Sequence, residues 1–158
     1  MRQGSLLVAL PLAAAWLGAA LLFAAAVAPA AFAVLPARAL AGALVGRVLP
    51  VIFVTGLAVG VAIAALEASS GPAPFRRWRL GAAAAMIVAC AVAQFAVAPR
   101  ITALRHAIGP SIEALAPDDA RRARFGRLHA VSVGWMGIAM VAAGVVVVSG
   151  ALALRPRP

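Results

Sequence analysis

The sequence has no lysine, asparagine or tyrosine, one cysteine (Cys90), and only four acids, Glu67, Glu113, Asp118 and Asp119, among 158 residues. Each shortage removes a class of protein. A lone cysteine excludes an intramolecular disulfide. No acid falls inside a long apolar run, so the carboxylate relay that proton-coupled carriers use has nothing to build on. No C-x-x-C or H-x-x-x-H pair marks a closed metal site, and no glycine loop precedes a lysine to cradle a phosphate. Ser132 lies close to His129, but the apolar runs hold no acid to orient that histidine, so a nucleophile–base–orienter set cannot be assembled. The expectation is a non-enzymatic protein.

What is present is overwhelmingly apolar. Hydrophobic residues make up 65% of the chain and charged ones 11%, where a soluble domain has roughly half and a quarter. The basic residues are 14 arginines, giving a formal charge of +10. On so greasy a chain that charge implies anionic lipid headgroups as the partner and no nucleic acid, because neither a basic recognition helix nor an aromatic–basic surface fits into such runs.

Four stretches carry no formal charge, and each is long enough for a membrane helix, which needs about 20 mainly apolar residues. They predict spans at about 6–28, 48–66, 80–98 and 128–154. Arg2, the first apolar run and Ala31-Phe32-Ala33 imitate a cleavable signal, but the run exceeds the roughly 7–15 residues of a signal's apolar core, so it is read as a span. The fold expected is an all-α, integral membrane four-helix bundle forming a single domain.

A local copy suggests how the bundle is organised. Val27-Ala28-Pro29, preceded by Phe23, closes the first span, and Val97-Ala98-Pro99, preceded by Phe95, closes the third. Gly46-Arg47-Val48 opens the second span and Gly126-Arg127-Leu128 the fourth. These pairs predict an internal repeat, two tandem helical hairpins of the same orientation, with chance recurrence of short Ala, Val, Pro and Gly words as the alternative. Because proline lacks an N–H and disfavours helix in the residue before it, Pro29 and Pro99 are expected to stop their helices, and Pro36, Pro110 and Pro117 to break the loops. Between them, 37–47 and 117–127 read as short interfacial helices with Arg38, Arg47, Arg121, Arg122, Arg124 and Arg127 at the headgroups. Asp118 and Asp119 complement the dipole at the start of the second. The loop from Glu67 to Arg79, ending in Phe75-Arg76-Arg77-Trp78-Arg79, reads as a plain aromatic–basic interface segment. Arginines divide six against eight between the two sides, a small lean toward both termini outside.

Few side chains within the spans can carry chemistry. Gly56 and Gly60 form a G-x-x-x-G pair, with Ala14 and Gly18 as a weaker one; such pairs let helices approach closely. Packing within one chain is expected from Gly56 and Gly60, and a homodimer face is the alternative. On span three Met86, Cys90 and Gln94 recur at i, i+4 and i+8, and on span four His129, Met136 and Met140 at i, i+7 and i+11, each set on one helical face. If the two faces meet they form a ladder of His, Gln, Cys and Met. Thiolate and thioether suit Cu(I), and imidazole accepts copper or zinc. The competing reading is structural: Met fills core gaps and buried Cys behaves as a small hydrophobe, Gln bonds a neighbouring helix, and His129 bonds a loop carbonyl. His106 reads as a headgroup-facing residue, and the two histidines do not make the stacked axial pair of a heme carrier.

The order of short motifs resembles that of the transmembrane protein 205-like family, small bacterial four-span proteins classed under a domain of unknown function. The motifs are Phe23 through Val27-Ala28-Pro29, Phe32, Leu35-Pro36, Ala41-Gly42, Gly46-Arg47, Val97-Ala98-Pro99-Arg100-Ile101, Leu104-Arg105 and Phe125-Gly126-Arg127-Leu128-His129 with Ser132. The sequence departs from that pattern at Leu49, where relatives often have Phe before the proline, and at Trp135, near a position where they carry Asn. More distantly it is similar to copper-resistance protein D-like four-span proteins, which implies copper or heme as a cofactor. The resemblance implies a multi-pass protein of a bacterial inner membrane.

Overall fold

The computed structural model describes residues 2–109, 112 and 115–155. Pro110, Glu113, Arg157 and the side chain of Arg2 lie outside the described residues. The described chain is helical, and no strand occurs among these residues. In order come α1 (Arg2–Leu22), a π-helical turn at Phe23–Val27, α2 (Ala28–Val34), α3 (Arg38–Ser69), α4 (Arg76–Ala91), a second π-helical turn at Val92–Val97, α5 (Ala98–Ile108) and α6 (Ala120–Leu154). The π turns join α1 to α2 and α4 to α5, so the chain forms four rods. All four are long and apolar enough to cross a membrane.

The two prolines expected to end helices do not end them. Pro29 and Pro99 each lie in the first turn of a helix that continues from a π turn. A proline ring clashes with the carbonyl four residues back and offers it no N–H. Widening the turn removes the conflict: Ala28 N–H donates to the carbonyl of Phe23, and Ala98 N–H to that of Ala93, both spanning five residues. The interfacial pieces also differ from expectation. The segment 37–47 is the first part of α3, and α6 runs unbroken through Arg121–Arg127 into the membrane. At 1.5 Å per residue, the 35 residues of α6 extend about 52 Å, well beyond a hydrocarbon core of about 30 Å. The excess carries the arginines to one headgroup layer.

Each rod packs on two neighbours, in the ring order α1, α3, α4, α6. Chain neighbours are thus spatial neighbours with opposite directions. The buried positions follow the seven-residue rhythm of helix bundles: Ala9, Ala13, Trp16 and Ala20 on α1, Phe53, Gly56, Gly60, Ile63 and Glu67 on α3, and Met136, Ala139, Ala143, Val146 and Gly150 on α6. So many alanines and glycines bring the axes close, because lipid-embedded helices associate by packing rather than by escape from water. Trp16 is the main large wedge. Its ring lies over Gly56, and its Nε1–H donates to the carbonyl of Ile52 at 2.9 Å.

Candidate functional site

Three features stand out from an otherwise alanine-rich bundle. The first is the core where soft side chains were expected to meet. Met86, Cys90 and Met136 are buried in one cluster with Trp16 and Phe53, and Met140 packs against it. Gln94 falls in the second π turn, half-buried, with a buried Oε1 that has no hydrogen-bond partner. His129 does not join them. It is exposed on α6, where its ring stacks on Phe125 one turn back, at 6.3 Å between centroids and 5° between planes. His129 shares the helical phase of Met136 but lies two turns nearer the arginine end of α6, before the buried stretch that starts at Ser132. His106 is exposed as well, so no histidine from the described residues offers an axial ligand inside the bundle. Among the described residues, no three His, Cys, Asp or Glu side chains cluster as metal ligands.

Gly56 and Gly60 serve the interior of one chain. A Cβ on Gly56 would lie 2.7 Å from Trp16 ring atoms and 2.8 Å from Cys90 Sγ, and one on Gly60 would lie 2.9 Å from Ile87. Neither glycine is available to a second copy. Gly18, by contrast, faces open space beside exposed Ala14.

The second feature, not foreseen from sequence, is an ion pair at the turn between α3 and α4. Arg79 donates from Nε to Glu67 Oε1 at 2.6 Å and from Nη2 to Oε2 at 3.0 Å, and both residues are 1% exposed. A third guanidinium bond, 2.8 Å to the carbonyl of Pro74, ties in the loop, and Arg76 Nε donates to the carbonyl of Glu67 at 2.8 Å. Phe75, at φ 58°, makes the left-handed step that starts α4 and is the only described non-glycine residue with positive φ. The interface segment is therefore half internal. Arg79 and Arg76 turn inward, while Phe75, Arg77 and Trp78 are exposed, Trp78 by 70%. The available signal was one acid ending an apolar run and an arginine opening the next, across a proline-rich turn.

At the opposite end Arg105 plays a comparable part. Its Nη1 donates to the carbonyl of Gly42 at 2.8 Å, its guanidinium lies over the Phe125 ring at 5.4 Å, and Gly42 and Gly46 leave the space it fills. This arginine joins α3, α5 and α6.

The third feature is external. Along the bilayer-facing seam of α4 and α6 runs an apolar groove of about 680 Å³ lined by Arg77, Trp78 and Gly81 on one side and Gly134, Gly137 and Val141 on the other. Continuing toward the C-terminal end of α6, a second groove of about 460 Å³ shares Trp78 with the first and reaches Phe75, Val148 and Leu152. Nothing lies within 4 Å of a Cβ built on Gly81, Gly134, Gly137 or Gly144. Opposite each other, these glycines leave a furrow where larger residues would have filled the seam.

Comparison with known proteins places this architecture in a family. A family model described as a domain of unknown function (DUF4149) matches residues 12–109, and the chain belongs to that family. The match runs from α1 to the end of α5. No curated protein and no solved structure matches the chain.

Proposed function

We propose that this DUF4149 member is a non-enzymatic, multi-pass protein of a bacterial inner membrane that acts by interaction within the bilayer, through its outward surface. The observation that carries this reading is how the small residues are distributed. Gly56 and Gly60 are consumed in holding the bundle closed, whereas Gly81, Gly134 and Gly137 line a furrow on the lipid-facing side. A concave apolar groove of this size is the usual form of a small-ligand site. The resemblance to the transmembrane protein 205-like family points to a small multi-pass membrane protein. The paired VAP motifs, each beginning at the last residue of a π turn, support descent from a duplicated hairpin.

The test is a photo-reactive amino acid placed at Val141, in the furrow, or at Val54, exposed on the diagonally opposite rod. Irradiation in native membranes should give a discrete adduct at Val141 and none at Val54. Equal, diffuse labelling at both positions would overturn the proposal.

The buried, partnerless Gln94 Oε1, four residues along the chain from Cys90, favours a second reading, a soft-cation site in the core with Met86, Cys90 and Met136. The thioethers and the thiolate would hold a Cu(I) ion, with Gln94 beside it and His129 excluded. Titration of the purified protein with Cu(I) under a competing chelator should then show one equivalent bound, lost in Cys90→Ser. Identical binding by both proteins ends this reading.

A further inference from the structure

The occupant of the outer furrow can be inferred from the charge at its mouth. Three arginines start α4, and two are engaged: Arg79 with Glu67 and Arg76 with the Glu67 carbonyl. Arg77 alone is exposed at the furrow and has no ion pair among the described residues. Below it the walls are apolar. The furrow follows α4 from Arg77 to Ala85 and α6 from Val145 to Gly134, about 12 and 16 Å at 1.5 Å per residue. That is the depth of one leaflet, half of a core of about 30 Å. The volume also falls within the range of about 300–1,000 Å³ usual for small-ligand sites. An occupant must therefore be anionic at the headgroup level and apolar for one leaflet below.

A second copy of the chain does not meet that description. Of its described acids, Glu67 is sealed in its pair with Arg79, and Asp118 and Asp119 lie at the opposite end, so it would bring arginine against Arg77. A phospholipid does meet it. We propose that the α4–α6 seam binds one anionic diacyl phospholipid, with its phosphate on Arg77 and an acyl chain in the furrow below it. The Glu67–Arg79 pair is then a positioning device. It fixes the first turn of α4 so that the inward Arg79 leaves Arg77 and Trp78 facing the bilayer.

This assignment rests on the outward-surface reading above. Its test uses the full chain in mixed micelles with equal amounts of phosphatidylglycerol and phosphatidylcholine, followed by native mass spectrometry. One phosphatidylglycerol should be retained in preference to phosphatidylcholine by roughly fivefold, the scale of one arginine near an anionic headgroup. Arg77→Gln should bring the two lipids to near parity, and Gly137→Leu, which fills the furrow, should reduce retention of both. Gly18→Leu, on an open face of α1, should change neither. Absence of a preference in the unmodified protein, an unchanged preference in Arg77→Gln, or full retention in Gly137→Leu overturns the assignment. The crosslink at Val141 separates the two failures: a protein adduct there refutes the lipid while keeping the outward-surface reading, and no discrete adduct refutes both.

Discussion

The residues with most at stake are Glu67 and Arg79. A desolvated pair gains little net stability over a hydrophobic replacement, but removing one partner strands a buried charge at a cost of about 3–5 kcal/mol. Arg79→Ala should therefore strongly lower the midpoint of unfolding in detergent–denaturant titration, and the double replacement Glu67→Leu with Arg79→Met should recover most of it. Single variants as stable as the unmodified protein would show that the pair is solvated and dispensable. Gly56 makes a contrasting case, since its constraint is purely steric. A side chain there meets Trp16 and Cys90 at under 3 Å, and overpacking of this kind costs about 1–3 kcal/mol. Gly56→Leu should destabilise the folded monomer in the same titration, and Gly18→Leu should not. If Gly56→Leu instead left stability unchanged and dissolved a dimer, the internal packing role would be wrong.

At the scale of elements, the start of α6 is set by one carboxylate. Asp119 caps the helix by accepting the Arg121 backbone N–H at 2.8 Å, and the Arg121 guanidinium binds the same carboxylate. The guanidinium hydrogen bond first, and the backbone bond second, hold the Asp119 pKa below its ordinary 3.8. A depressed native value means that the cap contributes fully above the unfolded pKa and is lost as the pH falls through the lower native one. Protection of the first-turn amides of α6, taken relative to their intrinsic exchange rate at each pH, should thus fall in acid below about pH 4, and Asp119→Asn should remove that acid dependence; the same acid response in both proteins would exclude the carboxylate as its source. Helix lengths were less legible in the sequence than helix existence. Charge-free runs marked the four spans, but Pro29 and Pro99 looked like stops because proline's local penalty can be read from sequence, whereas the widening to five-residue hydrogen bonds that absorbs it leaves no mark in the residue types.

For the whole molecule, four antiparallel rods put residue 71, between α3 and α4, at one end of the bundle and residue 118, before α6, at the other. Cys90 is buried, which makes the native chain a silent background for thiol labelling. In sealed vesicles an impermeant maleimide should modify Gly71→Cys from one side and Asp118→Cys from the other, with Cys90 unreactive in both. Labelling of both cysteines from the same side would contradict the topology.

The sequence by itself determined that the chain is helical, crosses the membrane four times and meets water mainly through arginine, because lipid allows a spanning chain few alternatives to apolar helices of a set length. It also put Met86, Cys90 and Gln94 on one face and His129, Met136 and Met140 on another, since helical period follows from spacing alone, and left open which faces turn inward. Only the tertiary structure decided that His129 lies before the packed stretch of α6, that Gly56 and Gly60 close the bundle from within, that Arg79 is buried on Glu67, and that Arg77 stands alone over a glycine-lined furrow. The last three depend on the rotation of one rod against the next. Where alanine and glycine cover most of every helix, that rotation is fixed by a few large or charged side chains, Trp16, Arg79 and Arg105, whose partners lie on other rods.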